Sequence, residues 1–221
     1  MKGLVIVGLG ETAELAHQYF TYDSSYKVSA FSVDAEYINS EKFLNLPVVA
    51  IEKLSESYHP NEYEAFVAIS ATKMNRYRSE IYKRIKNQGY KLATYVSSKA
   101  FLWNNTVVGE NCFILENNTL QPFTRIGNNV IIWSGNHIGH RTVIEDNCFI
   151  SSHCVISGFC KIGNSSFLGV NCTLEDGVVV EEDTFVGAGA IIRKSTDIKS
   201  VYQAPATAKA KIDSHKLFKI K

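Results

Sequence analysis

From Val108 onward every sixth residue is a branched aliphatic: Val108, Ile114, Leu120, Ile126, Ile132, Ile138, Ile144, Ile150, Ile156, Ile162, Leu168, Leu174, Val180, Val186 and Ile192. Four residues after each aliphatic the side chain is small: Cys112, Asn118, Thr124, Val130, Asn136, Thr142, Cys148, Cys154, Cys160, Ser166, Cys172, Val178, Thr184 and Ala190. A period of six with one aliphatic and one small inward residue is the pattern of a parallel β-helix. Three hexads close one triangular coil, and coils stack at the ~4.8 Å spacing of paired strands. Glycine follows several aliphatics (Gly109, Gly127, Gly139, Gly163, Gly169, Gly187), where the chain turns a corner and a Cβ would crowd it. The pattern predicts one uninterrupted prism from about residue 102 to 195.

All five cysteines fall in the register of the small residues. Free cysteine behaves as a small buried hydrophobe, so they are read as packing residues rather than nucleophiles. Their odd number, with no evident leader, argues for a reducing compartment and against a disulfide framework. The longest apolar run near the start, Leu4 to Leu9, is too short to span a bilayer, so a cytoplasmic protein is expected. A net charge of +1 implies neither nucleic acid nor membrane as a partner. Only the end is basic, with Arg193, Lys194, Lys199, Lys209, Lys211, Lys216, Lys219 and Lys221 against Asp197 and Asp213. A bound polyanion and a solvated tail fit this run equally well.

The first hundred residues lack the six-residue period and alternate strand with helix. "GLVIVGLGETAELAHQYF" is a buried strand, a glycine turn and an amphipathic helix; "YKVSAFSVD" is a second strand and "AFVAIS" a third. "MNRYRSEIYKRIKNQGY" is a charged amphipathic helix closed by Gly89. The chain therefore divides into a small α/β domain (1–100), a β-helix (101–195) and a basic tail (196–221), with the first boundary near Ser97 to Leu102.

Gly8, Gly10 and Ala13 form G-x-G-x-x-A between strand and helix, and Asp34 ends the next strand. Such glycines let a phosphate approach a helix N-terminus, and the acid suits a ribose hydroxyl. A domain of this size holds half a Rossmann sheet, which fits a nucleoside diphosphate better than a dinucleotide. Ser70, Thr72, Lys73, Asn75 and Arg76, where the third strand meets the charged helix, are a second candidate phosphate contact. Ordinary capping residues on a solvated face explain them as well.

A small nucleotide-binding domain followed directly by a hexapeptide β-helix resembles the bacterial nucleotide-sugar acyltransferases. These are acetyl-CoA-dependent N-acetyltransferases of UDP-, GDP- or dTDP-linked 4-amino-4,6-dideoxy sugars, with sialic acid O-acetyltransferases as close relatives. The resemblance rests on the glycine turn, "FSVD", "AISATKMNRYRSEIYKRIKNQGY", the unbroken hexads and the closing "VYQAPA". It implies a Rossmann-like α/β domain joined to a left-handed parallel β-helix, and a homotrimer with active sites between chains. It also implies acetyl-CoA as acyl donor without a metal, and a role in surface polysaccharide synthesis. The histidine base of that family matches His140, and Gly158 matches a backbone N–H donor to the acyl carbonyl. Gly169, Val170, Gly187 and Gly189 match the CoA groove. Where the family carries a glutamate beside the base this chain has Arg141, which leaves Glu145, Asp146 or an acid of the adjacent chain as candidates to orient the histidine. The family's second pocket histidine is replaced by Phe149, with His153 a candidate substitute.

The chemistry needs no analogy. An amine attacking a thioester loses a proton as the bond forms, an imidazole accepts it near neutral pH, and a backbone N–H stabilises the oxyanion. Sugar O-acetylation is the nearest alternative, and a nucleotide-sugar-binding module without activity is another. A zinc enzyme would use His137, His140 and His153. In register His137 and His153 stand roughly 8 Å apart, whereas ligands converge to ~2 Å of one ion, so zinc is confined to a site shared between chains. His137 otherwise remains a candidate helper. Trp133 and Phe149 face outward by register and suit trimer contacts or pocket walls.

Overall fold

The computed structural model describes residues 2–220. Residues 2–90 build a five-stranded sheet in the order β3-β4-β2-β1-β5. The strands are β1 (Lys2–Val7), β2 (Tyr26–Val33), β3 (Lys42–Phe43), β4 (Leu46–Ala50) and β5 (Tyr63–Val67). Helices α1 (Glu11–Tyr22) and α3 (Arg76–Asn87) flank the sheet, and a single turn, α2 (Leu54–Ser57), precedes β5. The central strand explains the layering. Leu4 and Ile6 pack with Ala13, Ala16 and Phe20 of α1, while Val5 and Val7 pack with Ile81 and Ile85 of α3. Alternate residues of one strand thus serve two cores, which is why β1 reads as an unbroken apolar run. The three expected strands are present. The β3–β4 hairpin adds an antiparallel edge, with Lys42 opposite Pro47, and β4, the apolar stretch LPVVA absent from the expected strands, also runs parallel to β2.

Beyond residue 94 the chain winds as a parallel β-helix with three faces. Face one stacks Tyr95–Val96, Phe113–Ile114, Ile131–Ile132, Phe149–Ile150, Phe167–Leu168, Phe185–Val186 and Val201–Tyr202; face two runs from Phe101–Leu102 to Ile191–Ile192, and face three from Val107–Val108 to Val179–Val180. Strands pair with those eighteen residues further on, as Thr119 with His137 and His137 with Val155. The prism is longer than the expected 101–195. Val96 and Leu102 already keep the hexad register, and Val201–Tyr202 closes the far end in register with Phe185–Val186, on a coil two residues short.

Every aliphatic of the series after Val108 is buried, and so is every small residue. The small residues also cap the corners. Cys112 Sγ donates to Gly127 O at 3.0 Å, Cys148 Sγ to Gly163 O at 3.2 Å, Thr142 Oγ1 to Ser157 O at 3.0 Å and Ser166 Oγ to Glu181 O at 3.0 Å. Cysteine, threonine and serine interchange here because each offers a short donor to the corner carbonyl one coil on. Burial pushes the Cys112 and Cys148 thiols up to about 12, far from nucleophilic thiolates.

The corner glycines act by close approach. A Cβ on Gly139 would stand 2.5 Å from Gly158 N, and one on Gly169 2.6 Å from Ala188 N. The left-handed residue of each corner comes two positions later, from Asn111 (φ 54°) through Asp183 (φ 59°) to Gly189 (φ 69°).

The two domains are fastened by α3. Arg78 is completely buried and donates to Ser70 O (3.1 Å), Asn75 Oδ1 (3.1 Å), Asn129 O (3.2 Å), Asn147 O (3.1 Å) and Cys148 O (3.1 Å). Desolvation holds its guanidinium at about 10, below the usual value. Face one supplies an apolar counterpart: Phe113 meets Tyr19 and Phe66, and Phe149 stacks on Phe167 at 5.1 Å. The tail after Tyr202 is largely exposed and ends in a single turn, Ser214–Leu217; Lys221 lies outside the described residues.

Candidate active site

The glycine turn opens into a cleft of about 570 Å³ lined by Gly8, Gly10, Thr12, Ser70, Tyr77 and Trp133, among others. Gly8 has φ 133° and its N–H donates to Ser32 O at 2.8 Å; a Cβ there would meet Ala68 O at 2.7 Å. Gly10 caps α1 with open space beside it, so the N-terminus of the helix faces the cleft unobstructed. Burial, then the Asp34 carboxylate, push the Tyr77 hydroxyl up, keeping it a donor.

Three residues expected at the nucleotide are already engaged. Asp34 accepts from Arg84 at 2.5 Å. Asn75 is fully buried and its amide donates to Ser165 O at 3.2 Å, so it fastens the domains instead of meeting a phosphate. Arg76 donates to Ser165 Oγ at 2.5 Å and pairs with Asp183. Polar residues at a strand–helix junction look alike in sequence whether they meet a ligand or a neighbouring domain. Ser70 does line the cleft.

On the prism, corners matter more than chain distance. The first corner, after face one, carries Trp133, His153, Gly169, Val170, Gly187 and Gly189; the second, after face two, carries Gln121, His140, Arg141, Gly158, Phe159 and Asp176; the third carries Glu145 and Asp146. His140 is exposed at the second corner, its ring edge-on to Phe159 at 4.9 Å. Gly158 lies one coil further along the same corner. A Cβ on it would stand 2.6 Å from His140 Cε1, 2.9 Å from Nδ1 and 3.0 Å from Asp176 Oδ1. Gly158 N–H donates to no protein atom among the described residues. Gln121 Oε1 accepts the His140 backbone N–H at 2.9 Å and lies 3.4 Å from Nδ1.

Neither Glu145 nor Asp146 reaches this imidazole. Glu145 pairs with Lys161 at 2.8 Å, and Asp146 accepts from Asn128 N at 2.7 Å. Five or six residues beyond His140 the chain has traversed a whole face, so neighbours in sequence become residents of another corner. Gln121 and Asp176 were missed for the converse reason: they are neighbours by multiples of the coil length, and counting in steps of eighteen from positions 139 and 140 finds them.

The left-handed positions of this corner are unusual. On the third corner they hold Asn111, Asn129, Asn147, Ser165 and Asp183, all but Ser165 of types that tolerate positive φ, but here they hold Phe123 (65°), Arg141 (60°) and Phe159 (57°) beside Gly177 (72°). Arg141 lies over the Phe123 ring at 4.5 Å. Bulky side chains are thus held in left-handed backbone next to an exposed imidazole.

His137 points out from face two and no hydrogen bond joins it to His140, while His153 sits over Gly135 on the first corner. Among the described residues no group of three or more His, Cys, Asp or Glu is placed to hold a metal ion. Phe149 is buried against the α/β domain, and Trp133 walls the cleft. No helix among the described residues is long and apolar enough to cross a membrane.

The model of the bacterial transferase hexapeptide family (six repeats) matches residues 105–140, 123–158 and 159–194. No curated protein matches the chain. Solved structures do. PerB from Caulobacter crescentus, in complex with CoA and GDP-perosamine, is 24% identical, covers 95% of this chain and 98% of its own, and superposes with a TM-score of 0.81. The acetyltransferase domain of PglB from Neisseria gonorrhoeae, in complex with acetyl coenzyme A, is 20% identical over 90% of this chain and 95% of its own, with a TM-score of 0.77. WeeI from Acinetobacter baumannii is 17% identical over 94% of this chain and 99% of its own, with a TM-score of 0.62. Residues 105–194 therefore match the hexapeptide repeat of that family, and the whole chain has the two-part fold, α/β domain and β-helix, of these structures.

Proposed function

We propose that the protein is an acyltransferase that moves acetyl from acetyl-CoA to the amino group of a nucleotide-linked amino sugar. The carrying observation is the second corner, where an exposed imidazole and a backbone N–H unpaired among the described residues occupy adjacent coils. The neutral amine attacks the thioester carbon, and Gly158 N–H steadies the oxyanion. His140 takes the amine proton as the C–N bond forms and returns it to the sulfur as the C–S bond breaks. The CoA and GDP-perosamine held by PerB, which shares the fold, support this choice of substrates.

The geometry also favours a site built between copies of the chain. The cleft reaches the prism at Trp133 on the first corner, where the proposed CoA residues Gly169, Val170, Gly187 and Gly189 also lie, while His140 stands on the second. A homotrimer that sets the first corner of one prism against the second corner of the next joins them. Exposed Phe101, Val155 and Ile191 on face two give such an assembly apolar surface to cover. A 4-amino-4,6-dideoxy sugar is the proposed acceptor and surface polysaccharide synthesis the proposed setting.

The test is incubation of the full chain with acetyl-CoA and a panel of UDP-, GDP- and dTDP-linked amino sugars, read by mass spectrometry for a gain of one acetyl group. His140→Ala is expected to abolish that gain while the oligomer persists. Acetylation of no nucleotide sugar, or unchanged turnover in the variant, refutes the reading.

A further inference from the structure

A histidine that accepts a proton needs the correct nitrogen free, and the structure provides a device that selects it. Gln121 Oε1 stands 2.9 Å from the backbone N of His140 and 3.4 Å from Nδ1 of the same residue. A backbone N–H can only donate, so the amide atom facing it is oxygen. An amide oxygen can only accept, so a hydrogen bond across this 3.4 Å contact requires the proton on Nδ1, which leaves the lone pair of a neutral imidazole on Nε2.

The opposite side of the ring agrees. Its Nδ1–Cε1 edge borders the slot left by Gly158, and the far wall of that slot is Asp176 Oδ1. Because a Cβ on Gly158 would be 2.9 Å from Nδ1 and 3.0 Å from Oδ1, those two atoms lie within about 5.9 Å of each other. Nδ1 therefore has Gln121 Oε1 at 3.4 Å and the Asp176 carboxylate in its vicinity. Nε2 has no hydrogen-bond partner among the described residues.

We propose that Gln121 is the positioning residue of His140: its side-chain oxygen holds Nδ1–H and presents Nε2 to the acceptor amine. This rests on the acyl-transfer reading and supplies what Arg141, engaged over Phe123, does not. A neutral amide does here what a carboxylate would otherwise do. During transfer the amine proton goes to Nε2, both ring nitrogens then carry hydrogen, and the Nδ1–H bond to Gln121 stays intact. When Nε2 gives its proton to the departing thiolate, the starting tautomer is restored and no group is consumed.

The experiment is ¹⁵N NMR of the full chain labelled at histidine, run beside steady-state kinetics. His140 signals, identified by their loss in His140→Ala, are expected to report Nδ1–H in the wild type and in Gln121→Glu, whose carboxylate can accept the same bond. Gln121→Leu is expected to show a mixture of tautomers and a kcat lower by about 10-fold to 100-fold at unchanged KM, less than the full general-base contribution of about 10²–10⁴. Gln121→Glu is expected to recover most of that loss. An Nε2–H wild type overturns the proposal, as does a Gln121→Leu variant with wild-type tautomer and kcat. The NMR reading needs no substrate. A wild type that acetylates no nucleotide sugar thus refutes the proposed function separately, while the tautomer still decides what Gln121 does.

Discussion

Replacing Gly158 with alanine adds one methyl group at the point where the proposed base, acyl site and Asp176 meet. The new carbon would stand 2.6 Å from His140 Cε1 and 2.9 Å from Nδ1, while comfortable carbon contacts begin near ~3.5 Å. The imidazole must retreat by about 1 Å, and a displacement of that size can cost about 100-fold in rate. The fold should scarcely notice, because the crowded atoms are the far ends of the His140 and Asp176 side chains and Gly158 is not at positive φ. Removing a glycine from the unfolded chain can even add about 0.4–1 kcal/mol of stability. Gly139→Ala is the matched control. Its methyl would stand 2.5 Å from Gly158 N and 2.5 Å from Ser157 C, backbone that cannot swing aside, so a stability loss of about 1–3 kcal/mol is expected. Acetyl-transfer kinetics of Gly158→Ala and thermal melts of both variants separate the two effects. Wild-type kcat/KM in Gly158→Ala, or equal destabilisation of both variants, refutes the reasoning.

Other substitutions probe the scaffold. Arg78→Lys keeps a charge but loses the guanidinium fork that satisfies carbonyls of both domains, and should cost about 3 kcal/mol and split urea unfolding into two steps. Asp23 accepts from Tyr95 Oη at 2.6 Å and Ser98 N at 2.9 Å, which hold its carboxyl at about 2. Since that value lies below the unfolded one of about 3.9, the stabilisation is complete above that range and lost as pH falls from about 4 to about 2. Asp23→Asn should flatten this acid limb in pH-dependent melts and cost less than about 1 kcal/mol at neutral pH, because solvent screens the carboxylate. Cys148→Ser, whose hydroxyl can replace the thiol as donor to Gly163 O, should keep activity and lose about 1 kcal/mol; loss of turnover in a folded variant would contradict the packing role.

The prism was legible because stacking turns sequence into geometry: residues eighteen apart are neighbours, so a list of every sixth residue is already a contact map. Ile138 and Thr142 declared themselves inward, and that left His140 outward. The α/β domain was less transparent. Its central strands announced themselves by burial on both sides, whereas β3 has only two residues and β4 is a short, half-buried stretch that carries Pro47. Asp34, Asn75 and Arg76 carried the right chemistry for a nucleotide, but Asp34 meets Arg84 of α3 inside its own domain, and the partners of Asn75 and Arg76 are settled by the docking of one domain on another, which no local pattern encodes. Gln121 is recoverable in principle. It stands eighteen residues before Gly139, beside the residue that precedes the proposed base.

The clamp on α3 has a mechanical meaning. Arg78 grips the carbonyls of Asn129 and Asn147, the two ends of the single turn of the prism that carries His140. The height of the cleft is therefore referenced to that storey of the tower rather than to the linker at its foot. Storeys inserted or removed in units of eighteen residues above Asp183 would lengthen or shorten the tower while leaving cleft and imidazole level. The same edit between Asn129 and Asn147 would duplicate or delete the storey that both depend on.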